Sequence, residues 1–233
     1  MLAKLLLTVL LIHPAVMGPH ATPILIFTHL PPTRGELLPL TQDMRREYEG
    51  MFLTLKVPTT KIKLVDSQIN TIVGNRLSYE TVEARTNVPW FVVGVIHTME
   101  CGANFDCHLH NGDPLTAKTK NVPKGRPDGV PPFTWEDSAV DALLYMELDK
   151  WTDWSIGGTL YKLETYNGFG YRKKNVPSPY LWGGSYFYKR GKFIRDGVWS
   201  PIASSKQIGG AVLLRRMVTR EVLPPVELTF KKE

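Results

Sequence analysis

Cysteine is scarce: Cys101 and Cys107 are the only two in 233 residues. That count excludes a small fold stapled by several disulfides. Long apolar runs are missing as well. The run over 5–12 is broken by Thr8, and nothing later approaches the roughly 18 apolar residues of a transmembrane helix. No segment resembles another at periods of roughly 20 to 50 residues, which excludes a repeat solenoid. Low-complexity tracts are absent. With 43% apolar and 21% charged residues, the chain is not of the disordered class. What remains is a globular chain whose length suits one domain with short extensions.

The N-terminus has the order of a cleavable export signal. Lys4 supplies a positive charge, 5–12 the apolar stretch, and small residues with Pro14 and Pro19 lead to Ala21. The expected organisation is a signal peptide over 1–21, a Pro- and Thr-rich arm over 22–40, a domain over 41–222 and a polar tail over 223–233. The expected location is secreted or periplasmic. The whole chain carries 28 Lys+Arg against 22 Asp+Glu, a net +6. A basic surface favours an anionic polymer, and export makes cell wall the expected partner rather than nucleic acid. No stable membrane insertion after signal cleavage, no cofactor and no metal are expected, and the domain is expected to be a monomer.

Hydrophobic spacing predicts a mainly α domain. Thr41 suits an N-cap, with Met44, Tyr48, Met51 and Leu55 on one face before Pro58. A second helix is expected over 61–75 and a short third over 78–85. The next segment opens with Asn87 as cap and Pro89 in the first turn, and it ends at Gly102. It is apolar on nearly every side, the mark of a central buried helix. Residues 103–133 have no period and read as a long functional loop. Thr134 with Asp137 has capping-box spacing and opens a helix carrying Ala139, Leu143 and Met146. Further helices are expected over 155–165 and 201–220, around a stretch over 166–199 dense in aromatics and glycine.

Glu100 is the leading candidate for chemistry. It sits at the end of the apolar helix, where apolar surroundings and the negative end of the helix dipole both raise a carboxyl pKa. An acid held protonated near neutral pH is what glycosidic bond cleavage requires. A second carboxylate would lie ~5–5.5 Å away in a retaining enzyme or ~6.5–9.5 Å away in an inverting one. Asp113 and Asp106, on the loop after Glu100, are the candidates. Cys101 and Cys107 are even in number and, in an oxidising compartment, expected to form a disulfide worth about 2 kcal/mol. With His108 and His110 they also supply zinc-type ligands, and a Cys–His nucleophile pair is a further alternative.

The segment Val95-Ile96-His97-Thr98-Met99-Glu100 resembles the helix that ends in the catalytic Glu of goose-type lysozymes and soluble lytic transglycosylases. Tyr166-Asn167-Gly168 resembles the Tyr-Asn motif of their clefts. Three longer blocks, Phe105-Asp106-Cys107-His108-Leu109-His110-Asn111-Gly112-Asp113-Pro114-Leu115, Pro132-Phe133-Thr134-Trp135-Glu136-Asp137-Ser138-Ala139 and Tyr166-Asn167-Gly168-Phe169-Gly170-Tyr171, resemble bacterial and phage lysozyme-family proteins. The resemblance spans about residues 88–217, and the two cysteines are not part of it. It implies a lysozyme-like helical domain with long cleft-forming loops, with peptidoglycan glycan as substrate and Glu100 as general acid. It also allows a transglycosylase, in which the substrate's own hydroxyl attacks and no second carboxylate is needed. Chitin, and glycan binding without catalysis on the same fold, remain alternatives. On this reading Trp135, Tyr166, Tyr180 and Trp182 offer flat apolar faces to sugar rings. His110, Asn111 and Asn167 offer polar contacts to the substrate.

Overall fold

A computed structural model describes residues 38–121, 123–195 and 197–223. The expected signal peptide, most of the 22–40 arm and the tail beyond Leu223 lie outside the described residues. The domain is mainly helical, as the periodicity predicts.

Helix α1 (Gln42–Thr54) starts where Thr41 caps it, the hydroxyl accepting the Met44 N–H at 3.2 Å. Tyr48 and Phe52, four apart, turn inward. Pro58 precedes α2 (Thr59–Gly74), which buries Val65, Ile69 and Ile72. Helix α3 (Arg76–Thr86) buries Tyr79 and Val82. Asn87 then takes the left-handed conformation, φ 59°. It therefore closes α3 rather than capping the next helix, a correction to the expected role. Asn tolerates this region better than most residues, and left-handed caps are the common way to end a helix.

Helix α4 (Trp90–Cys101) is the spine of the domain. Every residue in it except Glu100 is buried, and it ends in Gly102 at φ 61°. Helices α2 and α3 pack on α4. Gly94 lets them approach: a Cβ there would stand 2.6 Å from Ile72 Cγ2 and 3.1 Å from the Tyr79 ring.

After the 103–133 loop, α5 (Trp135–Tyr145) begins at Thr134. The Thr134 hydroxyl accepts the Asp137 N–H and donates to its carboxylate at 2.7 Å. Helix α6 (Ile156–Asn167), capped by Ser155, packs against α1. A 3-10 turn, Phe169–Lys174, and a one-turn helix α7 (Pro179–Trp182) follow. Helix α8 (Gly210–Thr219) lies against α2, α4 and α7 and buries Val212, Leu213, Leu214 and Met217.

Two features differ from the expected pattern. The last helix starts at Gly210, not near Pro201. The backbone before it is bonded elsewhere, Gly191 N–H to Ala203 O and Gly209 N–H to Gly183 O, both 2.8 Å. A small antiparallel hairpin, β1 (Lys192–Arg195) with β2 (Val198–Ser200), occupies what periodicity left unassigned. Its sequence signal is Asp196-Gly197, a favoured hairpin pair. Among the described residues no helix is long and apolar enough to cross a membrane.

Candidate functional site

The apolar sequence of α4 carries its last turn through the core and delivers Glu100 to the wall of a concavity. The concavity is small, with a cavity volume of about 20 Å³, room for about one ordered water. Glu100, His110, Pro123, Ala142, Tyr145, Met146 and Tyr166 line it. The end of α4, the long loop, the C-terminal turn of α5 and the end of α6 thus converge on one carboxyl group.

Burial among these groups pushes the Glu100 carboxyl up to about 7, opposed in part by the hydrogen bond from Tyr180. The Tyr180 hydroxyl donates to Oε1 at 2.8 Å. Oε2 has no hydrogen-bond partner among the described residues. Glu100 can therefore hold a proton near neutral pH and present it at the concavity. Among the described residues it is the only carboxylate in the lining.

The long loop is held by its own polar groups. The Leu115 N–H donates to Asp106 O, and the Phe133 N–H to Leu115 O. The His108 ring spans Ser138 Oγ on α5 and Ala117 O, both at 2.7 Å. The Tyr166 hydroxyl donates to Leu109 O at 3.1 Å, tying α6 to the loop. His110 is fixed by Asp141, whose Oδ2 lies 2.7 Å from Nε2. Arg126 grips the same carboxylate through Nε at 2.9 Å and through Nη2. A carboxylate only accepts, so Nε2 carries the proton. Burial holds the ring neutral, its pKa lowered to about 4. Nδ1 is then a buried acceptor with no partner.

The expected site residues divide into three groups. Glu100, His110, Tyr166 and Tyr180 come together. Asn111 stays beside them in the chain, but its Oδ1 accepts the Asp113 N–H at 3.0 Å and serves the turn. Asn167 ends α6, half-buried, and is not in the lining.

Asp113 and Asp106 do not face Glu100 across the concavity. The Asp113 carboxylate accepts the Lys120 N–H at 2.7 Å, the Asn121 N–H at 2.9 Å and Asn121 Nδ2–H at 2.7 Å. It closes a subloop, which is the turn chemistry its Asn-Gly-Asp-Pro setting also suggests. Asp106 is exposed and immediately precedes the bridge between Cys107 and Pro114.

Trp135 and Trp182 are core residues, not sugar platforms. Trp135 is buried in a cluster, edge-on to Tyr79 and Phe105 and tilted against His97, and Trp182 packs edge-on to Phe187.

The two cysteines are free thiols, not a disulfide. Cys101 Sγ–H donates to His108 O at 3.3 Å and Cys107 Sγ–H to Asn104 O at 3.2 Å. Each sulfur is engaged with a loop carbonyl. The Cys101 thiol is pushed up, first by the Cys107 sulfur beside it and then by burial. A thiol kept neutral is a poor nucleophile, and both nitrogens of His108 are committed elsewhere. Among the described residues no group of three or more His, Cys, Asp or Glu side chains is set to hold a metal ion.

Periodicity placed α5 but gave no role to its Asp141. The available signal was a single carboxylate within the apolar run over 138–146, where an unpaired charge would be costly to bury. Glu164 is likewise neither solvated nor in the cleft. It is buried against Tyr48 and accepts from Arg172 Nε at 2.9 Å.

No protein family, no curated protein and no solved structure matches the chain.

Proposed function

We propose that the protein is an exported enzyme that cleaves the glycan strand of peptidoglycan, with Glu100 as its acid, on a lysozyme-like helical domain. The observation that carries this reading is a carboxyl group at the end of a buried helix, raised to about 7 by burial and lining the concavity. Glu100 protonates the glycosidic oxygen between two amino sugars as that bond breaks. Positive charge develops on the departing sugar ring. The Tyr180 hydroxyl remains on Oε1 and favours the carboxylate that forms.

The concavity bears one carboxylate, which favours the transglycosylase course over the hydrolytic one. A hydroxyl of the same sugar attacks the ring, and the Glu100 carboxylate takes that hydroxyl's proton, so acid and base are one group. Asp113 and Asp106 have no part in this scheme.

Purified peptidoglycan digested by the native chain and by Glu100→Gln, with products read by mass spectrometry, tests the proposal. Anhydro-muropeptides from the native chain alone support it in full. Reducing muropeptides would keep the acid and overturn the transglycosylase course. Wall binding by both proteins with no cleavage by either would leave a glycan-binding protein instead.

A further inference from the structure

The charge of this chain is unevenly placed. Between Arg172 and Gln207 the sequence has eight Lys and Arg residues and one acid, Asp196. That stretch alone carries more positive charge than the whole chain's net +6, so the remainder is close to neutral.

Outside α7, which packs in the core, the stretch gathers around the hairpin as one lobe. Tyr171, on the 3-10 turn, packs edge-on to Phe193 and Trp199 of the hairpin, with ring centroids at 5.2 and 5.7 Å. Lys174 Nζ lies 6.0 Å from the Trp199 ring. The Tyr188 hydroxyl donates to Gly191 O and accepts the Ser205 N–H, both at 3.0 Å, which fastens the returning strand of chain to the hairpin.

Lys174, Lys189, Arg190, Arg195 and Lys206 are exposed on this lobe. None of the five makes an ion pair among the described residues. The best-buried arginines behave otherwise: Arg45, Arg126 and Arg216 outside the lobe, and Arg172 at its start, all hold carboxylates.

The same lobe leaves apolar side chains exposed. Ile202 is 79% exposed, Ile194 43% and Val198 40%. A site for a soluble polyanion needs the charges alone, because apolar groups between them gain nothing from a hydrated polymer. A lipid surface uses both: phosphate headgroups attract the cations, and the apolar side chains enter the headgroup boundary.

We propose that this lobe docks the protein on an anionic phospholipid surface, with the hairpin and the 201–206 segment as the contact. The lobe joins the domain next to the candidate site, since Gln207 Nε2–H donates to Met99 O at 2.8 Å, one residue from Glu100. A docked molecule would hold its concavity at a fixed distance from the lipid. The inference does not depend on what Glu100 acts upon.

The test is sedimentation of the full chain with phosphatidylglycerol/phosphatidylcholine vesicles, with pure phosphatidylcholine vesicles, and with soluble polyphosphate as the lipid-free polyanion. Binding is expected to the mixed vesicles and not to the neutral ones, and to weaken with salt. Each cation replaced among Lys189, Arg190 and Arg195 should weaken it roughly fivefold. The double variant Ile194→Ser, Ile202→Ser should weaken vesicle binding and leave any polyphosphate binding unchanged. These positions are exposed, and circular dichroism checks that each variant folds. Absence of vesicle binding overturns the proposal. So does vesicle binding that is indifferent to Ile194 and Ile202 and matched by polyphosphate, which would assign the lobe to a soluble polyanion.

Discussion

The Tyr180 hydroxyl donates to Glu100 Oε1 at 2.8 Å, joining α7 to the end of α4 across 80 residues of sequence. The bond favours the charged carboxyl, while burial favours the neutral one, and burial is the larger effect. Tyr180→Phe removes only the favourable contact to the charge. The Glu100 pKa should then rise above about 7. The alkaline limb of any Glu100-dependent activity should move upward with it, as a pH–rate profile would read.

Glu100 also links stability to pH. Its pKa is raised from the ordinary 4.5 to about 7 in the fold. The folded state therefore holds its proton more firmly than the unfolded one. This contribution is complete below about 4.5 and is lost as pH rises through about 7. Glu100→Gln does not ionise, so it should gain on the native chain by about 2–3 kcal/mol at pH 9, measured relative to the difference between the two at pH 4. Urea denaturation of both proteins at the two pH values checks this. Equal differences at both values would contradict the burial of Glu100.

The two loop aspartates separate cleanly. Asp113 accepts three hydrogen bonds from residues 120 and 121, so Asp113→Ala should cost about 1–3 kcal/mol and speed proteolytic nicking of 113–121. Asp106 is exposed, and Asp106→Ala should change stability by less than about 0.5 kcal/mol. Neither change should shift the pH dependence of activity, since neither side chain lines the concavity.

Gly94 marks the closest approach of helices in the core. A Cβ there meets Ile72 Cγ2 at 2.6 Å and the Tyr79 ring at 3.1 Å. Gly94→Ala raises helix propensity by up to about 1 kcal/mol, but overpacking of this kind costs typically ~1–3 kcal/mol. The net effect should be destabilising, readable as a lower thermal midpoint.

Most of the helical frame was legible because it rests on local chemistry. Thr41 and Thr134 cap the helices they were placed before, and the apolar length of α4 is buried as its sequence demands. The misassignments arose where one residue type serves two structures. Asn87 suits an N-cap and a left-handed C-cap, and only the neighbouring helix decides between them. Residues 201–209 contain an apolar position, Ile208, at helical spacing from Val212, yet their backbone bonds go to the hairpin and to Gly183. Glu100 was legible because a carboxylate ending an apolar helix is chemically unusual. Tyr180, His110 and Tyr166 were legible as members of the site, but their contacts with Glu100 and Asp141 rest on tertiary packing that no spacing encodes. Trp135 and Trp182 show the converse: composition marks an aromatic as suited to a sugar, and only packing shows that the core has taken it.

The account rests on Glu100 holding its proton near neutral pH. The most direct test is a titration of the Glu100 side-chain carboxyl by carbon-13 NMR in protein labelled at glutamate, assigned by the resonance that disappears in Glu100→Gln. A midpoint close to 7, moving higher in Tyr180→Phe, is the predicted result. A midpoint near the ordinary 4.5, unmoved by Tyr180→Phe, would contradict the assignment of Glu100 as the acid.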